Sequence, residues 1–463
     1  IPTTIINVSS VGTFANLSLT YKNMLYFSAT GRNDIVSTMP RNNRSFFYPS
    51  VSLGFIFTEL ESLKNNVVTW GKLRASYAEV GQAGTYYDSY YTTPTYGGGF
   101  SSGTPITYPI GGIIAYTPNS TVYDPALKPQ NTKSYELGAD LTFFNGIFSL
   151  SYTYSRQNVK DQIFDVPLAT STGYSAFVTN GGSIHTNSHE VTLDVKAIDT
   201  RDLKWNVGVN FSKIDNYVDE LAEGVNSIFL GGFVEPQVRA GIGSKFPVLY
   251  GVGYLRNAEG KIVVDEDGMP QAGEEKVIGT VSPDFRVGFN TSIEFHKFRL
   301  SAVFDWKQGG QMYGGTAGML DYYGVSKKSA DFRKSESFLF DGGDAVKVTG
   351  TDALGNTTYA KNDIQISGSK AQTYFSNLNG ISESMIFDSS FLKLREISLS
   401  YPVWNKPNLS VNMNVFARNL LLWSELKGLD PEASQGNNNM AGAFERFSLP
   451  GSSSYGLGFT VKF

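Results

Sequence analysis

Cysteine is absent from the 463 residues, which excludes disulfides, thiolate nucleophiles, cysteine-based metal sites and a lipid-modified cysteine within them. Histidine is nearly absent, with only His185, His189 and His296. Charge is scarce at 17% of residues, and a formal balance of -4 lacks the basic surface that a nucleic-acid partner needs, so no nucleic acid is expected. Apolar runs fall far short of the roughly 18 residues that cross a bilayer as a helix. The chain opens Ile1-Pro2-Thr3-Thr4, without a Met or a charged-then-apolar leader, and is expected to be either processed or a piece of a longer protein.

What is present is glycine (48), tyrosine (26) and phenylalanine (32). The last ten residues set the pattern. Tyr455, Leu457, Phe459, Val461 and Phe463 alternate with Ser454, Gly456, Gly458, Thr460 and Lys462, so one sheet face is apolar and the other small or polar. An ordinary terminal strand of a soluble β-protein would show the same alternation. In an outer-membrane barrel the apolar face meets lipid and the polar face an aqueous lumen.

Stretches of period two recur near 11–21, 24–31, 48–57, 70–78, 135–144, 147–155, 189–198, 203–213, 285–294, 298–306, 392–401 and 409–418. With the terminal strand they make about thirteen, most close to the roughly nine to eleven residues of a tilted membrane strand. Asn145-Gly146 marks a hairpin turn whose residues tolerate positive φ. Short links alternate with long ones near 32–47, 79–134, 156–188, 214–284, 307–391 and 419–454, the pattern of periplasmic turns and extracellular loops. Within the strands, Glu136, Asp140, Glu190, Asp194, Arg299, Asp305 and Arg418 stand opposite the apolar side and are expected to face the lumen, where they shape a passage or pair across it.

The expected fold is therefore all-β, a transmembrane antiparallel barrel. If Phe463 is periplasmic, residues 11–21 run inward, so an odd number of strands is expected upstream. A plugged barrel of about 22 strands satisfies this with about nine missing. Residues 1–463 then form the C-terminal part of the barrel wall, without the plug.

Several blocks resemble the SusC/RagA-like branch of TonB-dependent outer-membrane transporters. They are Asn131-Thr132-Lys133-Ser134-Tyr135-Glu136-Leu137-Gly138, Thr172-Gly173-Tyr174 with Asn180-Gly181-Gly182, and Asn187-Ser188-His189-Glu190. Val277-Ile278-Gly279, Pro283-Asp284-Phe285, Asp388-Ser389-Ser390-Phe391-Leu392-Lys393-Leu394-Arg395, Arg418-Asn419-Leu420 and Gly428-Leu429-Asp430-Pro431-Glu432 continue the series in family order. His189 departs from the family, which often has Lys or a glycine turn there. The resemblance implies import of oligosaccharides or peptides across the outer membrane of a Bacteroidetes-type bacterium. It also implies a SusD-like surface lipoprotein as lid and a TonB complex acting through a segment that these residues do not contain. A siderophore or cobalamin receptor without a lid, a surface adhesin and a barrel enzyme are the alternatives.

Enzymatic chemistry has little to work with. His185 and His189 are four apart but belong to the start of a strand, where that spacing does not bring two side chains onto a metal. Asp265-Glu266-Asp267-Gly268, followed by Glu274 and Glu275, lacks the ligand spacing of a calcium loop and reads as a solvated hairpin tip. No catalytic residue, metal or cofactor is expected. The candidate contact with ligand or partner is the tyrosine-rich loop holding Tyr86, Tyr87, Tyr90, Tyr91, Tyr96 and Tyr108, because a tyrosine offers both a flat apolar face and a hydroxyl.

Overall fold

The computed structural model describes residues 8–463 except 87–90, 93–94, 97–105, 427, 437–439 and 450, with backbone alone at 91–92, 95–96, 106–107 and 170. Its framework is one thirteen-stranded sheet in which every strand pairs with its neighbours in chain order. The strands are β1 Ser10–Tyr21, β2 Leu25–Val36, β3 Ser45–Ile56, β4 Val68–Gln82, β5 Gln130–Phe143, β6 Phe148–Lys160 and β7 Ser183–Asp199. They continue as β8 Leu203–Glu220, β9 Phe285–Phe295, β10 Phe298–Gln308, β11 Phe391–Lys406, β12 Leu409–Ser424 and β13 Ser454–Lys462. All thirteen coincide with the stretches of period two. No described helix is long and apolar enough to cross a membrane.

Register turns the alternation into two chemically distinct faces. From β4 to β12, one row of cross-strand partners reads Leu73, Ala139, Tyr152, Val191, Phe211, Val287, Trp306, Leu392 and Trp423. The next row, on the other face, reads Arg74, Gly138, Thr153, Glu190, Ser212, Arg286 and Lys307. Glycine serves the polar face by giving room: a Cβ at Gly456 would stand 2.2 Å from the Phe416 ring. At one end the strands join by tight turns, except for the link 57–67 between β3 and β4. Lys22 and Asn23 (φ 48° and 52°) and Asn145 and Gly146 (φ 56° and 88°) take the left-handed conformation there.

The strands run further into the long connections than the apolar pattern extends, leaving 37–44, 83–129, 161–182, 221–284, 309–390 and 425–453 between them. These connections fold. Ser227–Gly232, Gln237–Gly241, Val248–Tyr254 and Ala272–Thr280 form a four-stranded sheet. The stretch 309–390, which the sequence reading leaves as loop, contains helices α1 Gly315–Tyr322, α2 Lys327–Lys334 and α3 Ala371–Asn379.

The buried cores belong to the connections and hardly to the wall. One gathers Val264, Met269, Phe340, Ile366, Tyr374 and Phe375, and another Val238, Leu249, Val281, Ala443 and Phe444. On β13, by contrast, Leu457 and Phe459 are 60% and 61% exposed. A sheet in water must bury its apolar face against a second layer. This one is a single layer whose apolar face no described residue covers with a second layer, as a barrel wall in lipid requires.

Candidate functional site

The polar face and the folded connections at one end of the sheet form the candidate site. Adjacent strands bring opposite charges within reach. Arg74 on β4 donates from Nε to Asp140 Oδ2 at 2.8 Å and from Nη1 to Glu136 Oε1 at 3.2 Å, while Ser151 Oγ donates to Asp140 at 2.6 Å. Arg418 Nε donates to Glu396 at 2.7 Å, and Arg299 lies 3.5 Å from Glu294. Glu190 stands opposite Thr153 and Ser212, and Asp194 opposite Ser149 and Gly208. Asp305 on β10 receives Arg395 of β11. All seven carboxylates and guanidinium groups singled out in the sequence therefore share the polar face, Arg74, Glu396 and Arg395 joining them.

The tightest cluster lies where β11 meets the connection 425–453. Lys393, with its side chain 7% exposed, donates from Nζ to Asp430 Oδ1 at 2.7 Å and to Glu432 Oε2 at 2.5 Å. Arg395 adds two hydrogen bonds to Glu432, at 2.6 Å and 2.5 Å. Burial pushes the Glu432 carboxyl upward, but Arg395 and Lys393 outweigh it and hold the group at about 2. Two strand cations thus clasp the last long connection onto the wall. The sequence contained both halves in the Lys393-Leu394-Arg395 and Asp430-Pro431-Glu432 blocks, yet nothing local pairs residues 37 apart.

Carboxylates also hold the connections to one another. Glu383 accepts from Tyr254 N at 2.8 Å and Arg256 Nη2 at 2.7 Å, with Lys276 Nζ 3.3 Å away. Its pKa is lowered, burial being overcome by these partners. Glu445, only 2% exposed, accepts from Thr316 Oγ1 at 2.7 Å and Thr316 N at 3.3 Å. It satisfies the N-terminus of α1, whose own cap residue Gly314 has no side chain to do so.

Tyr86 packs with Met39, Leu127 and Val178, its ring edge-on to Tyr123 at 6.1 Å. Tyr87 and Tyr90 lie outside the described residues, as do the side chains of Tyr91 and Tyr96, whose backbones belong to the short strands Tyr91–Thr92 and Thr95–Tyr96. The acidic tip satisfies itself: Asp265 Oδ1 accepts from Asp267 N and Met269 N, both at 2.9 Å, and Asp267 pairs with Lys370 at 2.8 Å. His185 meets Asp219 at 2.7 Å, His189 meets the Tyr152 hydroxyl at 3.0 Å, and His296 lies 3.9 Å from Asp202. Among the described residues no group of His, Asp or Glu is placed to hold a metal ion. The arrangement can bind and guide polar solutes and can hold a folded cover in place.

Comparison with known proteins adds to this geometry. The family model described as "TonB dependent receptor-like, beta-barrel" matches residues 2–331. TonB-dependent receptor P3 of Formosa agariphila is 25% identical over 492 residues, covering 98% of this chain and 45% of that protein. TonB-dependent receptor SusC of Bacteroides thetaiotaomicron is 25% identical over 451 residues, covering 92% and 42%. The RagAB peptide importer in its closed-closed state superimposes with a TM-score of 0.70 at 19% identity, covering 98% of this chain and 47% of the solved one. The chain spans about half the length of the curated relatives it matches.

Proposed function

Because the chain belongs to the TonB dependent receptor-like β-barrel family, in the outer membrane and of the SusC and RagA type, we propose that it is the C-terminal wall of an importer of oligosaccharides or peptides. The observation that carries this reading is the single-layer wall, apolar on one face and lined with paired charges on the other, topped by connections with cores of their own. In this reading the polar face lines the lumen, the tight turns are periplasmic and the long connections are extracellular. A SusD-like lipoprotein closes over the connections and traps the ligand. A TonB complex, pulling on a plug outside these residues, then opens the lumen. Cross-strand pairs such as Arg74 with Asp140 keep the lining solvated without a net charge that would hold a passing solute.

The tyrosine loop with Tyr86, Tyr87, Tyr90, Tyr91 and Tyr96 is the proposed contact with ligand or lid, and replacing Tyr86, Tyr87, Tyr90 and Tyr91 together is expected to impair uptake or complex formation. The import reading is tested in cells with and without the gene, fed fluorescent oligosaccharides and peptides in the presence and absence of a protonophore. Uptake that needs both the gene and the proton-motive force is expected, and a lipoprotein should co-purify. A receptor that works without a lid would co-purify none, whereas unchanged uptake after deletion would end the import reading.

A further inference from the structure

On β5–β8 the apolar face of the wall carries a run of cations. Lys133, His189 and Lys213 each stand ten residues from the tight-turn ends of their strands, Phe143, Asp199 and Leu203, and Arg156 stands eight from Phe148. At about 3.3 Å per residue and a tilt near 40°, ten residues climb roughly 25 Å, the height of the apolar band of an outer-membrane barrel. These cations therefore share one level, at the top of the hydrocarbon. On β1–β3 and β9 the corresponding height carries Val11, Ile35, Phe47 and Phe285, while β10 has Gln308 and β4 has Glu79 opposite Lys133.

The surroundings suit an anion. Arg156 is exposed and has no ion pair among the described residues, its Nε donating only to Asn158 at 3.3 Å. Lys213 is exposed and lies 3.5 Å from Asp215, and Lys133 lies 3.5 Å from Glu79. The Tyr154 hydroxyl and Asn187 share a hydrogen bond of 3.3 Å between them, and the His189 ring lies 5.1 Å from that of Tyr154. Directly below, on the same face, a groove of about 460 Å³ is lined by Leu53, Leu73, Ala75, Leu137, Ala139 and Tyr152. It exists because Ala75 and Ala139 are small where their neighbours are large. Cations at the headgroup level over an apolar groove at the acyl level describe the two ends of one kind of molecule.

We propose that this patch is a specific seat for a phosphate-bearing lipid of the outer leaflet. Arg156 and Lys213 hold the phosphate, Lys133 and His189 flank it, and an acyl chain lies in the groove beneath. A guanidinium without a carboxylate partner grips phosphate oxygens in a bidentate fork, and the lysine adds a point charge. The proposal rests on the reading that the long connections face outward, but it involves no transport step.

The test uses the full-length protein purified in detergent, stripped of lipid and titrated with diphosphoryl lipid A under native mass spectrometry. The wild type is expected to retain it. Arg156→Gln/Lys213→Gln should retain it about thirtyfold more weakly, each cation near a charged membrane surface contributing roughly a factor of five. The same lipid with its phosphates removed should be held as weakly by the wild type as by the variant. Heat-modifiable migration on gels reports that the barrel is folded, and Lys213→Gln alone, on an exposed side chain, serves where the double variant does not fold. Equal retention by wild type and variant would overturn the proposal, as would equal retention of the dephosphorylated lipid. Displacement by inorganic phosphate would mean a simple anion site and would overturn it as well. A strain that fails to import while its protein still binds the lipid would count against the transport reading only.

Discussion

Replacing Lys393 by Met removes the cation from the centre of the clasp while keeping the length of the side chain. In the native cluster, Lys393 and Arg395 face Asp305, Asp430 and Glu432. The substitution leaves three carboxylates to one guanidinium, two of them in the connection that must stay docked. Removing one partner of a buried pair costs about 3–5 kcal/mol. Asp430 and Glu432 keep 16% and 33% exposure and Arg395 remains, so the lower end, about 3 kcal/mol, applies here. The wall does not unfold for that sum, but the connection 425–453 opens on its own. Hydrogen exchange of the amides around Glu432 and Ala433, which bond to Asp430, should quicken about a hundredfold, while β11 and β12 stay protected. Adding Asp430→Leu to Lys393→Met removes an orphaned charge and should restore much of the protection. Unchanged exchange in Lys393→Met would refute the view that these charges hold the connection down.

The same clasp should loosen in acid. Glu432 lies well below the ordinary carboxylate value of about 4.3, so its contribution is fully present above that pH and fades as pH falls towards about 2. Cleavage by pepsin within 425–453 should therefore rise between about pH 4.5 and pH 2, and do so less in Lys393→Met, whose connection is already open. On β13, Leu457→Arg puts a charge near mid-membrane on the apolar face and should cost about 2–4 kcal/mol, read as a fall in the denaturation midpoint of the barrel in detergent. Ser398→Arg, on the polar face opposite Ser301 and Phe416, should change it little, and a comparable fall would mean that the two faces are misassigned.

The wall was legible because lipid enforces alternation: each of the thirteen strands has its apolar side where the hydrocarbon would be. The same physics explains why the outer strand ends were not legible. In β7 the stretch His185-Thr186-Asn187-Ser188 is strand without an apolar face, since above the lipid neither side must be greasy. Helix α3 carried a signal that a search for period two passes over, its buried residues Ala371, Tyr374, Phe375 and Leu378 following helical spacing. Helix α1, beginning Gly315-Thr316-Ala317-Gly318, carries none, and is held by Glu445 from a distant segment. The polar-face residues could be named one by one from the alternation. Their partners could not, because Arg74 meets Asp140, and Lys393 meets Asp430, only once register and folded connections bring them together.

That the hydrophobic nuclei sit in the connections, and hardly in the wall, divides the molecule into staves and hats. Each hat keeps its own grease and its own fastening, so one can be recut, lengthened or traded between relatives without disturbing the cylinder that carries it. Differences between relatives are then expected in the hats, over a hull that stays much the same.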